Sequence, residues 1–575
     1  MTSVPSEAET PTPKLARVWP LYIAIASLAT VMFVIRLAAP PNLLDQDQER
    51  PAAYVLDAVK NGNWLCQRDL SGDITSKPPV WTWIAALVSM LSGRVTVFSI
   101  YLPGALAALG TAWLVLAAGL RYFGVRAAFF AAIAVLLHTA GFKEVGLART
   151  DGVFAFTVTL TALLAFRSWR TGSGWTWFWL AAAISTLTKG PLGIVFAACG
   201  LLACLWERRR DKTVVLRGSH WLGLGVFLVV AGGWFYLSYQ QLGQPVVDKL
   251  IGRELVGHVA ASKKASLPGT LIWQPPLYYL SRSLPWSLLA YFGLWRVWKF
   301  AAPDAAERRF ERFLFCWFLG GLLLLSLAPH QRADLLWPIM PAAALLAGRQ
   351  LDRLTLGWRR PVLNAALTAV VFLMVAGYAI NYSILKSRST PVRQSVAVRD
   401  LAARMDALVG TEFPLTHLDD PSAFQMYLNT ARPWVPAERA AALLRGPDAA
   451  FVALNNPTQL EAIRRPEDPL LYTVLQDDSG SGLKTRIVGN RPKLVAAPSM
   501  AFAYGPLTVR LSGAGLVEAT EHVLRASGTG PCSITVANES TNAVPFRIIL
   551  TQGAQTTDEQ KLLSGRETWT VGAGR

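Results

Sequence analysis

Apolar residues occur in blocks of about 20 along the first two thirds of the chain, the length at which a helix crosses a bilayer. The blocks follow one another closely to about residue 385, and none comes later. This pattern predicts a polytopic membrane domain followed by a soluble region of about 190 residues. The candidate spans are roughly 19–39, 98–120, 126–142, 152–168, 175–188, 190–206, 217–238, 277–298, 313–328, 333–348 and 361–385.

Segment 79–92 is apolar but short and rich in Trp, which is typical of a helix lying in the membrane interface. If this segment is interfacial and the N-terminus is cytoplasmic, five successive inner loops are basic, as the positive-inside rule expects. A full span there would place Arg121 and Arg126 outside, so the interfacial placement is favoured. The first apolar block has no small-residue cleavage site after it and is read as an uncleaved anchor.

Composition and charge fit this topology. The chain is 52% hydrophobic and 16% charged, with a formal net charge of +18. Such an excess can indicate nucleic-acid binding, but here the cations lie beside the spans, where cytoplasmic loops collect Lys and Arg. No nucleic-acid partner is expected. The five cysteines show no metal-site spacing.

The predicted fold is an α-helical polytopic membrane protein of about 11–13 transmembrane helices with a soluble C-terminal α/β and β-rich region. Helical periodicity covers Val396 to Leu408, and short apolar runs predict strands at 451–454, 470–475, 507–511 and 546–550. These later segments show no catalytic constellation, so acceptor binding or a structural role is expected. The predicted divisions are a cytoplasmic N-terminus (1–18), a membrane domain (19–385, outer loops 40–97 and 239–276), an outward α/β domain (386–495) and a β-sandwich-like module (496–575).

The first outer loop carries the acidic cluster Asp45-Gln46-Asp47-Gln48-Glu49-Arg50 and, further on, Lys77. A carboxylate near the membrane surface can take a proton from an attacking hydroxyl, and a nearby Arg helps to keep it ionised. Lys77 can neutralise a phosphate as a point charge. The plainer alternatives are a solvated loop and a lysine snorkelling to the interface.

Other charged residues fall on the same predicted outer side, at the ends of spans, where ionisable groups tend to mark function. Each has a structural alternative: a helix cap, a tight turn or an interfacial anchor. Glu254 and His258 are spaced i,i+4 and could also supply two metal ligands if that stretch is helical. The candidates are Asp151, Lys189, Glu254, His258, His330 and Arg332.

Short motifs stand in a fixed order along residues 20–350. Asp47 to Gly62 and Gly62 to Lys77 are each fifteen residues apart. The motifs are Asp47-Gln48-Glu49-Arg50-Pro51, Gly62-Asn63-Trp64, Ser76-Lys77-Pro78-Pro79, Asp151, Thr188-Lys189-Gly190, Leu284-Pro285-Trp286, and Arg332 followed by Pro338 and Pro341.

This ordered set resembles the bacterial type C glycosyltransferases that include 4-amino-4-deoxy-L-arabinose lipid A transferase and relatives of the protein O-mannosyltransferases. In that family the first motif has a second acid and a Tyr, where Gln48 and Pro51 stand here. A Glu precedes the lysine, where this chain has Ser76. Lys is common where Arg332 stands, and a metal-ligand His falls near Leu255.

The resemblance implies an inverting transferase of the outer face of the bacterial inner membrane. A polyprenyl (undecaprenyl) phosphate sugar would be the donor, and a glycolipid or a protein the acceptor. Lys77, Arg332 and Lys189 would hold the donor phosphate, with Asp151, His330 and Glu254 also in the substrate site. Asp47 would be the general base, oriented by Arg50. No cofactor is certain, and a divalent metal stays open, with His258 as its candidate ligand.

Two other classes fit a polytopic chain with charges near lipid head groups. A lipid-linked sugar transporter or flippase predicts internal repeats and charged or broken helices near mid-membrane, whereas these charges gather at one face and no repeat is evident. A sensor or assembly scaffold would not need Asp47 and Lys77 so placed. The sugar and the acceptor are not specified by the sequence.

Overall fold

The computed structural model describes residues 15–45, 47–256, 271–329, 331–520 and 522–571. His258 and His330 therefore lie outside the described residues. The chain forms two compact units. The first comprises the residues through Ala39, Ser76–Trp81 and Tyr101–Tyr382, and the second comprises Pro40–Thr75, Thr82–Ile100 and the residues from Ser383 onward.

The first unit is helical, as its apolar blocks predict. Helices Leu192–Arg208 and Ala305–Leu327 pack closely, since a Cβ on Gly200 would come within 2.5 Å of the Phe313 ring. The helices are Leu15–Ala38, Val97–Tyr122, Val125–Leu136, Thr139–Glu144, Asp151–Thr171, Trp175–Lys189, Leu192–Arg208, Trp221–Phe227, Gly233–Leu242, Gln244–Val246, Gln274–Arg282, Trp286–Lys299, Ala305–Leu327, Met340–Leu354 and Arg360–Ile380, with π segments Leu228–Gly232 and Val247–Val256, the start of the π segment Asn381–Leu385, and the 3-10 segment Ala333–Ile339.

Six described helical segments are long and apolar enough to cross a membrane: Val18–Ala38, Val97–Tyr122, Asp151–Thr171, Trp221–Leu242, Ala305–Leu327 and Arg360–Arg388. The chain is a multi-pass membrane protein with an α-helical membrane domain. Helix Val80–Leu91 has only 12 residues, too few to span, and its interfacial placement stays a prediction.

Two predicted spans are interrupted. Span 126–142 forms helices Val125–Leu136 and Thr139–Glu144, and span 277–298 forms Gln274–Arg282 and Trp286–Lys299. In the second case Pro285 explains the break, because proline lacks the N–H that a continuing helix needs. Hydropathy does not register such a break, since the flanking residues stay apolar.

The second unit combines the first loop with the C-terminal region. Sheet β1-β2-β4-β3 is mixed: β1 (Thr416–His417) pairs parallel with β2 (Phe451–Leu454), whereas β4 (Arg486–Gly489) pairs antiparallel with β2 and β3 (Tyr472–Gln476). Its helices are Glu49–Leu56, most of Val80–Leu91, Thr390–Val409, Ser422–Leu428, Ala437–Arg445 and Thr458–Glu461, with the π segment Asp57–Asn61 and the 3-10 segment Lys386–Arg388.

The last residues form two four-stranded sheets, in the orders β11-β10-β8-β7 and β12-β9-β6-β5. Alternate side chains of both sheets enclose one apolar core that includes Phe502, Ile534 and Phe546. The β-rich C-terminal region is thus confirmed as a sandwich. The strands are β5 (Ser499–Tyr504), β6 (Leu507–Ser512), β7 (Leu516–Ala519), β8 (Val523–Gly528), β9 (Cys532–Asn538), β10 (Val544–Gln552), β11 (Gln555–Leu563) and β12 (Arg566–Val571).

Candidate active site

Asp151 is the first residue of helix Asp151–Thr171, and its carboxylate is almost fully buried, with 6% of the side chain exposed. One oxygen accepts from Lys189 Nζ, at the end of helix Trp175–Lys189. The other lies 3.2 Å from Arg149 Nε. The carboxylate therefore binds two cations from separate parts of the chain.

Asp334 collects further cations. Its Oδ1 accepts from Lys143 Nζ at 3.0 Å, and its Oδ2 lies 3.4 Å from Arg149 and 3.6 Å from Arg332. Arg149 thus bridges Asp151 and Asp334. Burial alone would lower the pKa of Arg149, but Asp151, Glu144 and Asp334 together raise it. The guanidinium stays fully charged between the two carboxylates.

Glu144 is a buried acid within this cluster, 3% exposed, and its Oε2 has no hydrogen-bond partner among the described residues. Burial and the charge of Asp151 together raise the pKa of Glu144 to about 8, against the lowering effect of Arg149 and Lys189. At neutral pH Glu144 is therefore mostly uncharged.

Lys77 forms an ion pair with Glu254, which lies in segment Val247–Val256 of the second predicted outer loop. The charge of Lys77 also acts on Asp151. Five basic side chains (Lys77, Lys143, Arg149, Lys189 and Arg332) thus accompany three ion-paired carboxylates (Asp151, Glu254 and Asp334). We call these eight residues and Glu144 the charged cluster. Its two surplus positive charges suit an anionic group such as a phosphate.

In the described part of the chain, the carboxylates of Asp151, Glu254 and Asp334 are paired with cations. No group of three or more His, Cys, Asp or Glu that could hold an ion occurs among the described residues. Both oxygens of Asp151 are engaged by Arg149 and Lys189, and Glu254 is engaged by Lys77. Ammonium and guanidinium groups thus neutralise the carboxylates that a metal would need as ligands.

Asp47 and Arg50 belong to the second unit. Asp47 is exposed and left-handed, with φ of 56°, a conformation that Asp tolerates better than most residues. Among the described residues, the ion pair of Arg50 is with Asp69, at 3.6 Å. The roles of Asp47 as base and of Arg50 as its orienting residue stay predictions.

Gln48, which stands where the family has an acid, has a structural role. It is fully buried, and its Nε2 donates to the carbonyl oxygens of Asn42 at 2.8 Å and Asp45 at 2.9 Å. A carboxylate cannot donate these two bonds. The side-chain amide of Gln48 therefore stabilises the turn that contains Asp47.

The cluster gathers five of the residues predicted from the sequence: Lys77, Asp151, Lys189, Glu254 and Arg332. The sequence analysis did not select the other four as site residues: Lys143, Glu144, Arg149 and Asp334. Lys143-Glu144 is a charged pair directly after an apolar stretch, on the predicted outer side. That position was the available signal.

Residues 76–236 match the family described as dolichyl-phosphate-mannose-protein mannosyltransferase. The chain is 25% identical over 350 residues to undecaprenyl phosphate-alpha-4-amino-4-deoxy-L-arabinose arabinosyl transferase 2 of Sodalis glossinidius, covering 58% of this chain and 60% of that one. It is 26% identical over 219 residues to an uncharacterised protein of Aquifex aeolicus, covering 38% and 49% respectively. The chain thus spans between half and three fifths of the length of these relatives.

The fold matches a solved structure over a longer range. ArnT from Cupriavidus metallidurans, in a crystal structure bound to undecaprenyl phosphate, superposes with a TM-score of 0.64 at 18% identity, covering 84% of this chain and all of that one. The chain has the fold of this glycosyltransferase structure, and the type C fold expected from the motif resemblance is confirmed. Its sequence similarities are to the Sodalis glossinidius arabinosyl transferase and to the mannosyltransferase family.

Proposed function

We propose that this protein is an inverting glycosyltransferase that moves a sugar from a polyprenyl phosphate, such as undecaprenyl phosphate, to a lipid or protein acceptor. The reaction takes place at the outer face of the bacterial inner membrane, and the C-terminal region faces the periplasm. The observation that carries the proposal is the charged cluster. It has a surplus of two cations, held by partly buried ion pairs, in a chain with the type C fold.

The leaving group explains why cations are needed. When the bond between the anomeric carbon and the phosphate oxygen breaks, the phosphate keeps the electron pair and gains negative charge. Lys77, Lys189 and Arg332 stabilise this charge, and preorganised charges cost no reorganisation during the reaction. Arg332 is the most exposed, with 44% of its side chain accessible, so it is the best placed to meet an incoming phosphate.

The acceptor supplies a hydroxyl or amine that attacks the anomeric carbon from the side opposite the phosphate, which inverts the configuration. Asp47 takes the proton of the attacking group as general base. Its exposure leaves the carboxylate open to an acceptor. The products are the glycosylated acceptor and the free polyprenyl phosphate.

The proposed mechanism has no step through a divalent metal. In the type C family a metal is expected near the position of Leu255, but here the acids of the cluster are paired with cations. Lys77 and Lys189 take over the charge neutralisation that a metal would supply at the phosphate.

The test uses purified protein, a panel of undecaprenyl-phosphate sugars, and lipid A, other glycolipids and serine-containing peptides as acceptors. Mass spectrometry follows release of undecaprenyl phosphate and gain of the sugar mass by the acceptor. Asp47→Asn should abolish transfer without lowering expression. Near-normal transfer by this variant would exclude Asp47 as the base. No turnover with any donor, together with movement of a lipid-linked sugar across vesicles, would instead support a flippase.

A further inference from the structure

The turn carrying Asp47 is attached on its N-terminal side to the C-terminal region of the same unit. The backbone N–H of Leu44 donates to the hydroxyl of Ser395 at 3.0 Å, and Ser395 is fully buried in helix Thr390–Val409. The same hydroxyl donates to the carbonyl oxygen of Pro391 at 2.7 Å, which fixes its direction. Asp45 also lies 3.9 Å from Lys386, and both side chains are about one quarter exposed.

On its C-terminal side, the turn leads into helix Glu49–Leu56, which packs against helix Ser422–Leu428. The half-buried Glu49 accepts a hydrogen bond from the backbone N–H of Ala423 at 3.5 Å. Only one residue separates Glu49 from Asp47. The turn is thus fastened at both ends to residues 386–428.

The left-handed backbone of Asp47 needs such support. A non-glycine residue persists in this conformation when its surroundings determine it. Gln48 closes the turn internally by its bonds to Asn42 and Asp45. The contacts to Ser395, Lys386 and Ala423 then fix the closed turn to the C-terminal region.

We infer that the C-terminal region acts as the support that sets the position of Asp47, with Ser395, Lys386 and Glu49 as positioning residues. This inference rests on the proposed function, in which Asp47 is the general base. It gives the periplasmic region a part in the rate of proton transfer rather than only in acceptor binding. A base displaced by about 1 Å can lose as much as a hundredfold in rate, so small losses of support should be measurable.

The experiment compares full-length Ser395→Ala/Lys386→Met with wild-type protein. The matched control is Arg547→Gln, which breaks the exposed ion pair of Arg547 with Asp558 between β10 and β11 of the same unit. Hydrogen–deuterium exchange of the peptide covering residues 40–50 reports the attachment without requiring activity. Steady-state transfer reports kcat and the donor KM, and Asp47→Asn is measured in parallel.

In the double variant, exchange in residues 40–50 should become at least about fivefold faster, the effect of losing about one net hydrogen bond. kcat should fall by about tenfold or more with the donor KM unchanged. The conservative variant Ser395→Thr keeps the hydroxyl, so with Lys386 unchanged its exchange rate and kcat should stay close to the wild-type values. Arg547→Gln should change neither value.

Unchanged hydrogen–deuterium exchange in the double variant would show that Ser395 and Lys386 do not hold the turn of residues 40–50 in place. Faster exchange with unchanged kcat, while Asp47→Asn is inactive, would overturn the positioning role and leave the proposed function standing. If wild-type protein transfers no sugar, or Asp47→Asn stays active, the proposed function or its base fails, and the positioning role fails with it. The exchange data then still decide whether the attachment exists.

Discussion

The ion pair between Asp151 and Lys189 provides the most direct test of the charged cluster. Asp151→Asn removes the carboxylate with which Lys189 and Arg149 both form ion pairs. Breaking a buried ion pair by removing one partner costs about 3–5 kcal/mol. The side chains of Lys189 and Arg149 are 19% and 15% exposed. Because water partly solvates these cations, we expect the lower end, about 3 kcal/mol.

Lys189→Met should cost less, because Asp151 keeps Arg149 as a partner. In the double variant Asp151→Asn/Lys189→Met, the lost carboxylate no longer strands the ammonium. The free energies of unfolding should therefore be non-additive, with a coupling of about 2 kcal/mol. The assay is denaturant unfolding in detergent micelles, followed by the fluorescence of the 21 Trp residues.

The matched control is the pair Lys561–Glu567, which joins β11 and β12, consecutive strands in different sheets of the sandwich, with side chains 44% and 40% exposed. Its coupling should stay below about 1 kcal/mol, as for other exposed pairs. Additivity within about 0.5 kcal/mol for Asp151 and Lys189 would refute the buried pair as described.

Three further predictions address the neighbouring features. Gln48→Glu should destabilise the protein by about 1–3 kcal/mol and more strongly as pH rises, because burial against two carbonyl oxygens would raise the pKa of the new carboxyl; denaturation curves at pH 5 and pH 8 that differ from wild type equally would contradict this. Glu144→Gln should become more stable relative to wild type as pH rises. The folded-state pKa of Glu144 is about 8, above its ordinary value, so the wild-type fold loses stability as pH rises from that ordinary value toward 8, and Gln does not titrate. A difference in unfolding free energy that does not depend on pH would contradict a buried acid. Treatment with EDTA should leave transfer unchanged and elemental analysis should find substoichiometric metal, whereas activity that is lost on chelation and restored by a divalent ion would refute the metal-free mechanism.

Local sequence patterns predicted the positions of the strands. Strands predicted at 451–454 and 507–511 are found at Phe451–Leu454 and Leu507–Ser512, because alternating side chains and nearby turn residues act over a few positions. The break in span 126–142 was not predicted, because a local pattern reports only residue type. The residues of this span stay apolar through the break between Leu136 and Thr139, and hydropathy does not detect backbone geometry.

The sequence by itself determined the membrane class, the sandwich strands and the identity of most charged residues near the predicted outer face, since hydropathy and motif order are properties of short segments. The tertiary structure alone decided which charges meet. Asp151 and Lys189 are 38 positions apart, and Lys143 and Asp334 are 191 apart, so only helix packing brings them together. It also showed that Gln48 fastens a turn, because a hydrogen-bond partner is defined by distance in space and not by the residue type that a motif expects.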